Sequence, residues 1–213
     1  MTVKPDAVWK HSGATAWVFP HSSGVQRPVV LVADGGPVDM EALVGKLDDP
    51  EFALREQLAV RGRDLIVVGF DHDPTDLAKA GSGVLEVVFR SIGERTGQQP
   101  LTVGGIGRGA LAARYALAKM ECDRMDHQTN LYFSYNGAGP ATTQESAQLE
   151  KVGGRPMRPF LLKVTAGVAD VEGLSEDATP DETIFDDVLF VAEPSATGIV
   201  TAEAAKWLLD RLR

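Results

Sequence analysis

The sequence predicts a single α/β domain, a three-layer αβα sandwich built on a mostly parallel sheet. Continuous apolar runs such as 27–33 and 64–70 are typical of strands that are buried on both faces of a parallel sheet. These runs alternate with segments of helical spacing, which indicates crossover helices on both faces of the sheet. A chain of 213 residues can form one such domain over 1–213 with a substantial core.

The predicted elements follow in order along the chain. An apolar run at 14–19 predicts an edge strand, and the remaining strands are expected at 27–33, 64–70, 100–104, 130–135, 159–165 and 187–192. Helical spacing is expected at 40–60 with an interruption at 49–50, and again at 77–92, 109–120 and 202–212. The segment 167–183 is rich in Gly, Asp, Glu and Pro, which predicts a loop.

Charge and composition exclude several function classes. The net charge of −9 argues against nucleic acid or an anionic membrane as the main partner. The single cysteine, Cys122, excludes an internal disulfide. The N-terminus lacks the apolar run of a signal peptide, and no segment approaches the roughly 20 apolar residues that cross a bilayer. We therefore expect a cytoplasmic protein without a cofactor, and the sequence is compatible with a homodimer.

The segment 103–117 has the shape of a nucleophile elbow, in which a strand turns sharply into a helix. Such a turn reads G-x-S-x-G, with the nucleophilic serine at its tip. Here the turn is Gly105-Ile106-Gly107-Arg108-Gly109, and the tip is Gly107. Because glycine has no side chain, the sequence predicts the turn of a hydrolase without its nucleophile.

From position 27 to about 141 the chain resembles bacterial esterase- or lipase-like members of the α/β-hydrolase superfamily. The resemblance rests on the elbow, on the R-Y-A-L sequence that begins at Arg114 within the following helix, on Asp126-His127, and on the strand Leu131-Tyr-Phe-Ser-Tyr135. It implies an α/β-hydrolase-like fold and a catalytic triad in the order Ser, acid, His.

The departures from that pattern fall on the catalytic residues. Gly107 replaces the serine, and Asn136-Gly-Ala-Gly139 stands where the subgroup has a D-x-P-H loop. The segment 193–198, where the triad histidine is expected, contains no histidine, and none of the four histidines follows His127. A triad in the usual order therefore cannot form.

Ligands of open α/β sheets bind beyond the carboxyl ends of the strands. We expect a small-molecule or peptide site there, with oxyanion donors from the Gly35-Gly36 loop and from the backbone N–H of Arg108. The missing serine predicts free space above Gly107. The Arg108 side chain either aims a cation at this pocket to select a carboxylate or lies on the surface. The residues expected to bind the ligand are Asp34, Gly35, Gly36, Gly107, Arg108, Asn136, Glu193 and Ser195.

His72 is the candidate acid–base residue, because it follows a central strand between Asp71 and Asp73. An unperturbed pKa of about 6.5 suits a histidine to proton transfer. The alternative is a solvated loop histidine beside a helix N-cap. Adjacent residues at a strand end diverge, so no metal site is expected from this cluster, and the glycines at 104–109 are wrongly placed for a dinucleotide fingerprint.

Three functions remain open. The first, which we prefer, is a non-hydrolytic enzyme that performs isomerisation, epimerisation, cyclisation or lyase chemistry, as in natural-product pathways. The second is an inactive pseudo-hydrolase that binds a ligand or a protein partner. The third is an ester hydrolase with a relocated nucleophile such as Ser134 or Ser195.

Overall fold

The computed structural model describes residues 4–48, 53–72, 74–166, 184–191 and 201–212, which form eight strands and six helices. The strands are β1 (Ala7–His11), β2 (Ala14–Phe19), β3 (Val29–Val32), β4 (Leu65–Phe70), β5 (Leu101–Ile106), β6 (Thr129–Tyr135), β7 (Phe160–Ala166) and β8 (Asp187–Val191). The helices are α1 (Pro37–Leu47), α2 (Leu54–Val60), α3 (Leu77–Glu94), α4 (Arg108–Cys122), α5 (Thr143–Lys151) and α6 (Ala202–Arg211).

All eight strands belong to one sheet, in the order β1-β2-β4-β3-β5-β6-β7-β8. The hairpin of β1 and β2 joins the sheet antiparallel to β4, and the remaining strands run parallel to one another. The predicted fold class is therefore confirmed. The parallel arrangement also brings the carboxyl ends of β3, β5 and β6 to the same edge of the sheet, at its centre.

The core consists of a layer on each face of the sheet, because successive strand residues point to opposite faces. Val30 and Val32 of β3 pack in the layer that α3 and α4 cover. Val29 and Leu31 of the same strand pack in the layer that α1, α2 and α6 cover. This burial on both faces explains the continuous apolar runs in the sequence.

Two elements differ from the sequence predictions. The strand at 14–19 was expected at the edge of the sheet, but β1 pairs with it and takes the edge position. Only Trp9 is buried in β1, so its apolar pattern is weak. The helix α5 was not predicted, although Thr142 and Glu145 form the T-x-x-E pattern of a helix start, in which the Thr142 hydroxyl accepts a hydrogen bond from the Glu145 N–H.

Among the helices of the described ranges, none combines the length and the apolar content needed to cross a bilayer.

Candidate functional site

The predicted elbow is present at the junction of β5 and α4. β5 ends at Ile106, Gly107 has φ +53° and ψ −123°, and the helix begins at Arg108. The glycines on either side of the tip are required sterically. A Cβ on Gly105 would lie 2.5 Å from the Ala110 nitrogen, and one on Gly109 would lie 2.8 Å from the Ala33 carbonyl carbon. The turn therefore keeps the close packing of strand, turn and helix that the motif predicts.

The carboxylate of Asp34 occupies the position above the elbow tip. Asp34 follows β3, and its Oδ1 accepts a hydrogen bond from the Arg108 backbone N–H at 2.6 Å. A Cβ on Gly107 would lie 2.6 Å from the Asp34 Cγ and closer still to Oδ1, within the volume of the carboxylate. Asp34 therefore lies where the nucleophile side chain of a hydrolase elbow would begin, and it caps the N-terminus of α4, where a negative charge is favourable.

Two expectations about the elbow are corrected by this contact. The free space expected directly above Gly107 is filled by the Asp34 carboxylate. The Arg108 N–H, expected to be an oxyanion donor, is already bonded to that carboxylate. An external oxyanion would have to displace Asp34 before it could use this donor.

A cleft of about 380 Å³ opens beside the elbow. Its wall on the α1 side contains Asp34, Asp39, Ala42 and Leu43, and its opposite wall is formed by the ends of β5 and β6 with the loop that follows β6. The residues of that opposite wall are Ile106, Gly107, Arg108, Asn136 and Ala138. Four residues expected at the ligand site, Asp34, Gly107, Arg108 and Asn136, thus line one cleft.

The Arg108 side chain is bound by a carboxylate of the chain itself. Its Nη1 donates to Glu145 Oε2 at 3.2 Å, its Nη2 donates to Glu145 Oε1, and Nη2 also donates to the Pro74 carbonyl at 3.2 Å. The Glu145 side chain is 3% exposed and that of Arg108 is 19% exposed. This buried bidentate pair ties the elbow to α5 and to the loop after β4, so the guanidinium is not presented to a ligand as a free cation.

Glu145 is held in its charged form. Burial by itself raises the pKa of the Glu145 carboxyl, but hydrogen bonds from Arg108 and from the Ala141 N–H outweigh it, and the pKa lies below its ordinary value. The ion pair is therefore intact throughout the neutral pH range.

Asn136 also uses its polar atoms within the fold. Its Nδ2 donates to the Ala166 carbonyl, and its Oδ1 accepts from the Ala166 N–H, both at 2.8 Å. Its backbone has φ +46°, a conformation that asparagine tolerates better than most residues. Asn136 thus links the end of β6 to the end of β7. It lines the cleft, but its side-chain amide is already hydrogen-bonded.

His72 and Asp71 lie away from the cleft, over the hairpin of β1 and β2. The His72 Nδ1 is 3.1 Å from the Gly13 carbonyl oxygen, and its ring meets Phe70 edge to face. Asp71 Oδ1 accepts from the Thr15 hydroxyl at 2.8 Å. Neither residue lines the cleft, because β3 lies between β4 and β5. The structure therefore does not bring the candidate acid–base group to the elbow.

Gly36 is the N-cap residue of α1, and its carbonyl accepts from the Met40 N–H at 3.0 Å. Gly35 lies beneath the Asp39 carboxylate, and its carbonyl accepts from the Phe70 N–H at 3.0 Å. Ser134 is fully buried within β6 and cannot act on a substrate from there. Asp73, Glu193 and Ser195 lie outside the described residues.

All four histidines of the chain lie in described segments, and none lines the cleft. His127 is fully buried at the amino end of β6, where its Nε2 is 2.9 Å from Glu121 Oε1, and it contributes to packing and hydrogen bonding away from the cleft. His21 bonds to Asp64, and His11 lies beside Glu86. Within the ranges that the structure describes, no three His, Cys, Asp or Glu side chains are grouped so that they could hold a metal ion.

The sequence predictions missed two carboxylates at this site. Asp39 lines the cleft from the first turn of α1. The sequence Gly35-Gly-Pro-Val-Asp39 could have indicated this, because an acidic residue is favourable in the first turn of a helix. Glu145 neutralises Arg108, and only the T-x-x-E pattern indicated its helix.

Together, the sheet order, the covering helices and the elbow define the chain as a protein of the α/β-hydrolase fold. Solved structures with this fold superpose on nearly the whole chain. They include dienelactone hydrolase from Anabaena variabilis, with a TM-score of 0.58 and 14% identity over 96% of this chain and 94% of that one. An esterase from Pyrobaculum calidifontis has a TM-score of 0.60 and 13% identity, covering 98% of this chain and 84% of that one. Carboxyl esterase 2 from Tuber melanosporum has a TM-score of 0.54 and 15% identity, covering 96% and 81%.

These structural similarities support the fold, and at such low sequence identity they leave the activity open. No family model matches the sequence, and no curated protein does.

Proposed function

We propose that this protein is a non-hydrolytic member of the α/β-hydrolase fold that binds a small molecule in the cleft beside the elbow. One observation carries the proposal, namely the Asp34 carboxylate above Gly107. It fills the space of the nucleophile and bonds to the N–H that would stabilise a tetrahedral oxyanion. Hydrolysis through an acyl-enzyme needs a nucleophile in that space and a free N–H for the oxyanion. The contact therefore argues for binding without acyl transfer.

The cleft itself supports a binding role. Its volume of about 380 Å³ lies within the roughly 300–1,000 Å³ of small-molecule sites. It lies at the carboxyl ends of central strands, where ligands of open α/β sheets bind. Its walls are held rigidly, because Arg108 and Asn136 are each fixed by two hydrogen bonds to one partner residue.

A second candidate is an enzyme that transfers a proton in an isomerisation, epimerisation, cyclisation or lyase reaction. Asp34 favours it, because the carboxylate lines the cleft and its Oδ2 has no hydrogen-bond partner among the described residues. In that mechanism Asp34 takes the role of base that the sequence suggested for His72. The oxygen bonded to Arg108 holds the carboxylate in place, and the other oxygen accepts the proton.

Three assays distinguish binding, proton transfer and ester hydrolysis. With p-nitrophenyl acetate and butyrate we expect no turnover above that of heat-denatured protein. Turnover by the wild-type protein that is lost in Ser195→Ala would instead identify Ser195 as a relocated nucleophile. A screen of small metabolites by thermal shift, followed by NMR mapping to the Gly107 and Ala138 amides, should find a ligand of the cleft.

For that ligand, incorporation of deuterium from solvent is then measured. Incorporation that is lost in Asp34→Asn but kept in His72→Ala supports the proton-transfer enzyme. A bound ligand that takes up no deuterium supports the binding protein. If no compound binds at the cleft, the proposed function is wrong.

A further inference from the structure

We infer that the ligand of the cleft is cationic, an amine or guanidinium compound with a small apolar part. This inference rests on the proposed function, since it names the class of ligand for the same site. It follows from counting the hydrogen-bond donors and acceptors that the cleft leaves for a ligand. Binding sites of the hydrolase elbow type are expected to offer donors to an oxyanion, and here the donors at the elbow are bonded within the fold while two carboxylates line the cleft.

Four backbone donors on the β5 and β6 side of the cleft are used within the fold. The Gly107 N–H donates to the Tyr135 carbonyl at 3.1 Å, and the Arg108 N–H donates to Asp34. The Asn136 N–H donates to the Val164 carbonyl at 2.8 Å. The Ala138 N–H donates to the Gly107 carbonyl at 3.0 Å, which completes this wall. An anion placed against this wall would find these four N–H groups already bonded.

The side-chain donors of the cleft are also occupied. Among the described residues that line the cleft, Arg108 is the one cationic side chain, and its guanidinium bonds to Glu145 and to the Pro74 carbonyl. The Asn136 amide nitrogen donates to the Ala166 carbonyl. A carboxylate ligand would therefore have to break the buried ion pair of Arg108 to gain a cation, which costs a great deal.

The acceptors, in contrast, remain available. Asp39 has no hydrogen-bond or ion-pair partner among the described residues, and Asp34 uses only Oδ1 there. Both lie on the wall next to Ala42 and Leu43, with Ile106 on the wall opposite. A group with several N–H donors and a positive charge matches two carboxylates, and an adjoining apolar group matches the aliphatic side chains.

The test uses benzylamine, benzyl alcohol and benzoate, which share a ring and differ in charge. Each is titrated into the ¹⁵N-labelled full chain at low ionic strength, and the Gly107 and Ala138 amide signals are followed. We expect benzylamine to shift both signals saturably, benzyl alcohol to bind more weakly, and benzoate to leave them unchanged. Added salt should weaken the binding of benzylamine, because exposed charges are screened.

Two variants locate the charge that is responsible. Asp39→Asn should weaken benzylamine roughly two- to fivefold, the range for one solvent-accessible ion pair. Glu41→Gln is the matched control, since Glu41 is an exposed acid of the same helix that does not line the cleft. It should leave the affinity unchanged. Equal losses in both variants would mean that benzylamine responds only to the net charge of the protein, and the inference would be wrong.

The outcome also separates this inference from the proposed function. If benzoate binds at the cleft as well as benzylamine does, the inference fails while the proposed function stands. It fails in the same way if the metabolite screen finds only anionic ligands that shift the Gly107 and Ala138 signals. If neither the probes nor the screen produces a shift there, both are wrong.

Discussion

Adding a single methyl group at the elbow tip should reveal the contact between Asp34 and Gly107. In Gly107→Ala the new Cβ lies within the volume of the Asp34 carboxylate, so Asp34 must move and release the Arg108 N–H. A residue other than glycine at positive φ costs about 1–2 kcal/mol, and the lost capping bond costs about 1 kcal/mol. We therefore expect Gly107→Ala to lower the free energy of unfolding by roughly 2–3 kcal/mol.

The double mutant Asp34→Ala/Gly107→Ala tests whether the two residues interact. Asp34→Ala alone loses the capping bond, at a cost of about 1 kcal/mol. Once the carboxylate is gone, Gly107→Ala adds only its backbone strain, so the double mutant should be about as stable as Gly107→Ala alone. The coupling between the two positions is thus about 1 kcal/mol, above the roughly 0.3–0.5 kcal/mol within which independent sites add.

The assay is urea unfolding followed by circular dichroism, with thermal unfolding as a second probe. For a chain of this size each kcal/mol shifts the Tm by roughly 2–4 °C. Gly97→Ala is the matched control, because Gly97 has φ +84° and nothing within 4 Å of an added Cβ. It should cost the backbone strain alone and show no coupling to Asp34→Ala. If the costs of Gly107→Ala and Asp34→Ala simply add, Asp34 does not occupy the nucleophile position.

Three further predictions concern the surroundings of the elbow. Glu145→Gln leaves the Arg108 guanidinium buried without its carboxylate, and we expect a loss of about 3 kcal/mol at pH 7. The pKa of Glu145 is depressed in the folded state, so this stabilisation is fully present above the ordinary carboxyl pKa of 4.5 and is lost as the pH falls through the folded pKa. A difference in stability between wild type and Glu145→Gln that widens on acidification would contradict this. Asn136→Gly should lower the free energy of unfolding by about 2 kcal/mol, because the two hydrogen bonds to Ala166 are lost, and Asn136→Ala by about 1 kcal/mol more, because alanine is strained at positive φ. Both values are measured by urea unfolding, and equal stabilities of the two variants would show that the backbone at position 136 is unstrained. His72→Ala should leave the affinity of any cleft ligand unchanged in calorimetry, and a loss of more than tenfold would place His72 at the site after all.

The fold and the turn could be predicted from the sequence because their causes are local. A strand buried on both faces is apolar at every position, and the elbow needs Gly105 and Gly109 wherever strand and helix pack this closely. The edge strand β1 has only Trp9 buried, so its pattern carries little information.

The chemistry of the site could not be predicted in this way, because it depends on contacts between distant positions. Asp34 meets Arg108 across 74 positions of sequence, and Glu145 meets it across 37. No local pattern indicates that one carboxylate lies above Gly107 and that another pairs with the nearby cation. His72 was expected at the site because it follows a central strand, but the hairpin of β1 and β2 binds it instead.

The most direct test of the account is the response of the Arg108 amide to an added anion. In wild type the N–H already donates to Asp34, so its NMR signal should stay unchanged as acetate is added, and its exchange with solvent should be slow. In Asp34→Ala the donor is released, and acetate should then shift the Arg108 signal saturably. If acetate shifts the Arg108 amide in wild type as strongly as in Asp34→Ala, the elbow is an open oxyanion site and Asp34 does not block it.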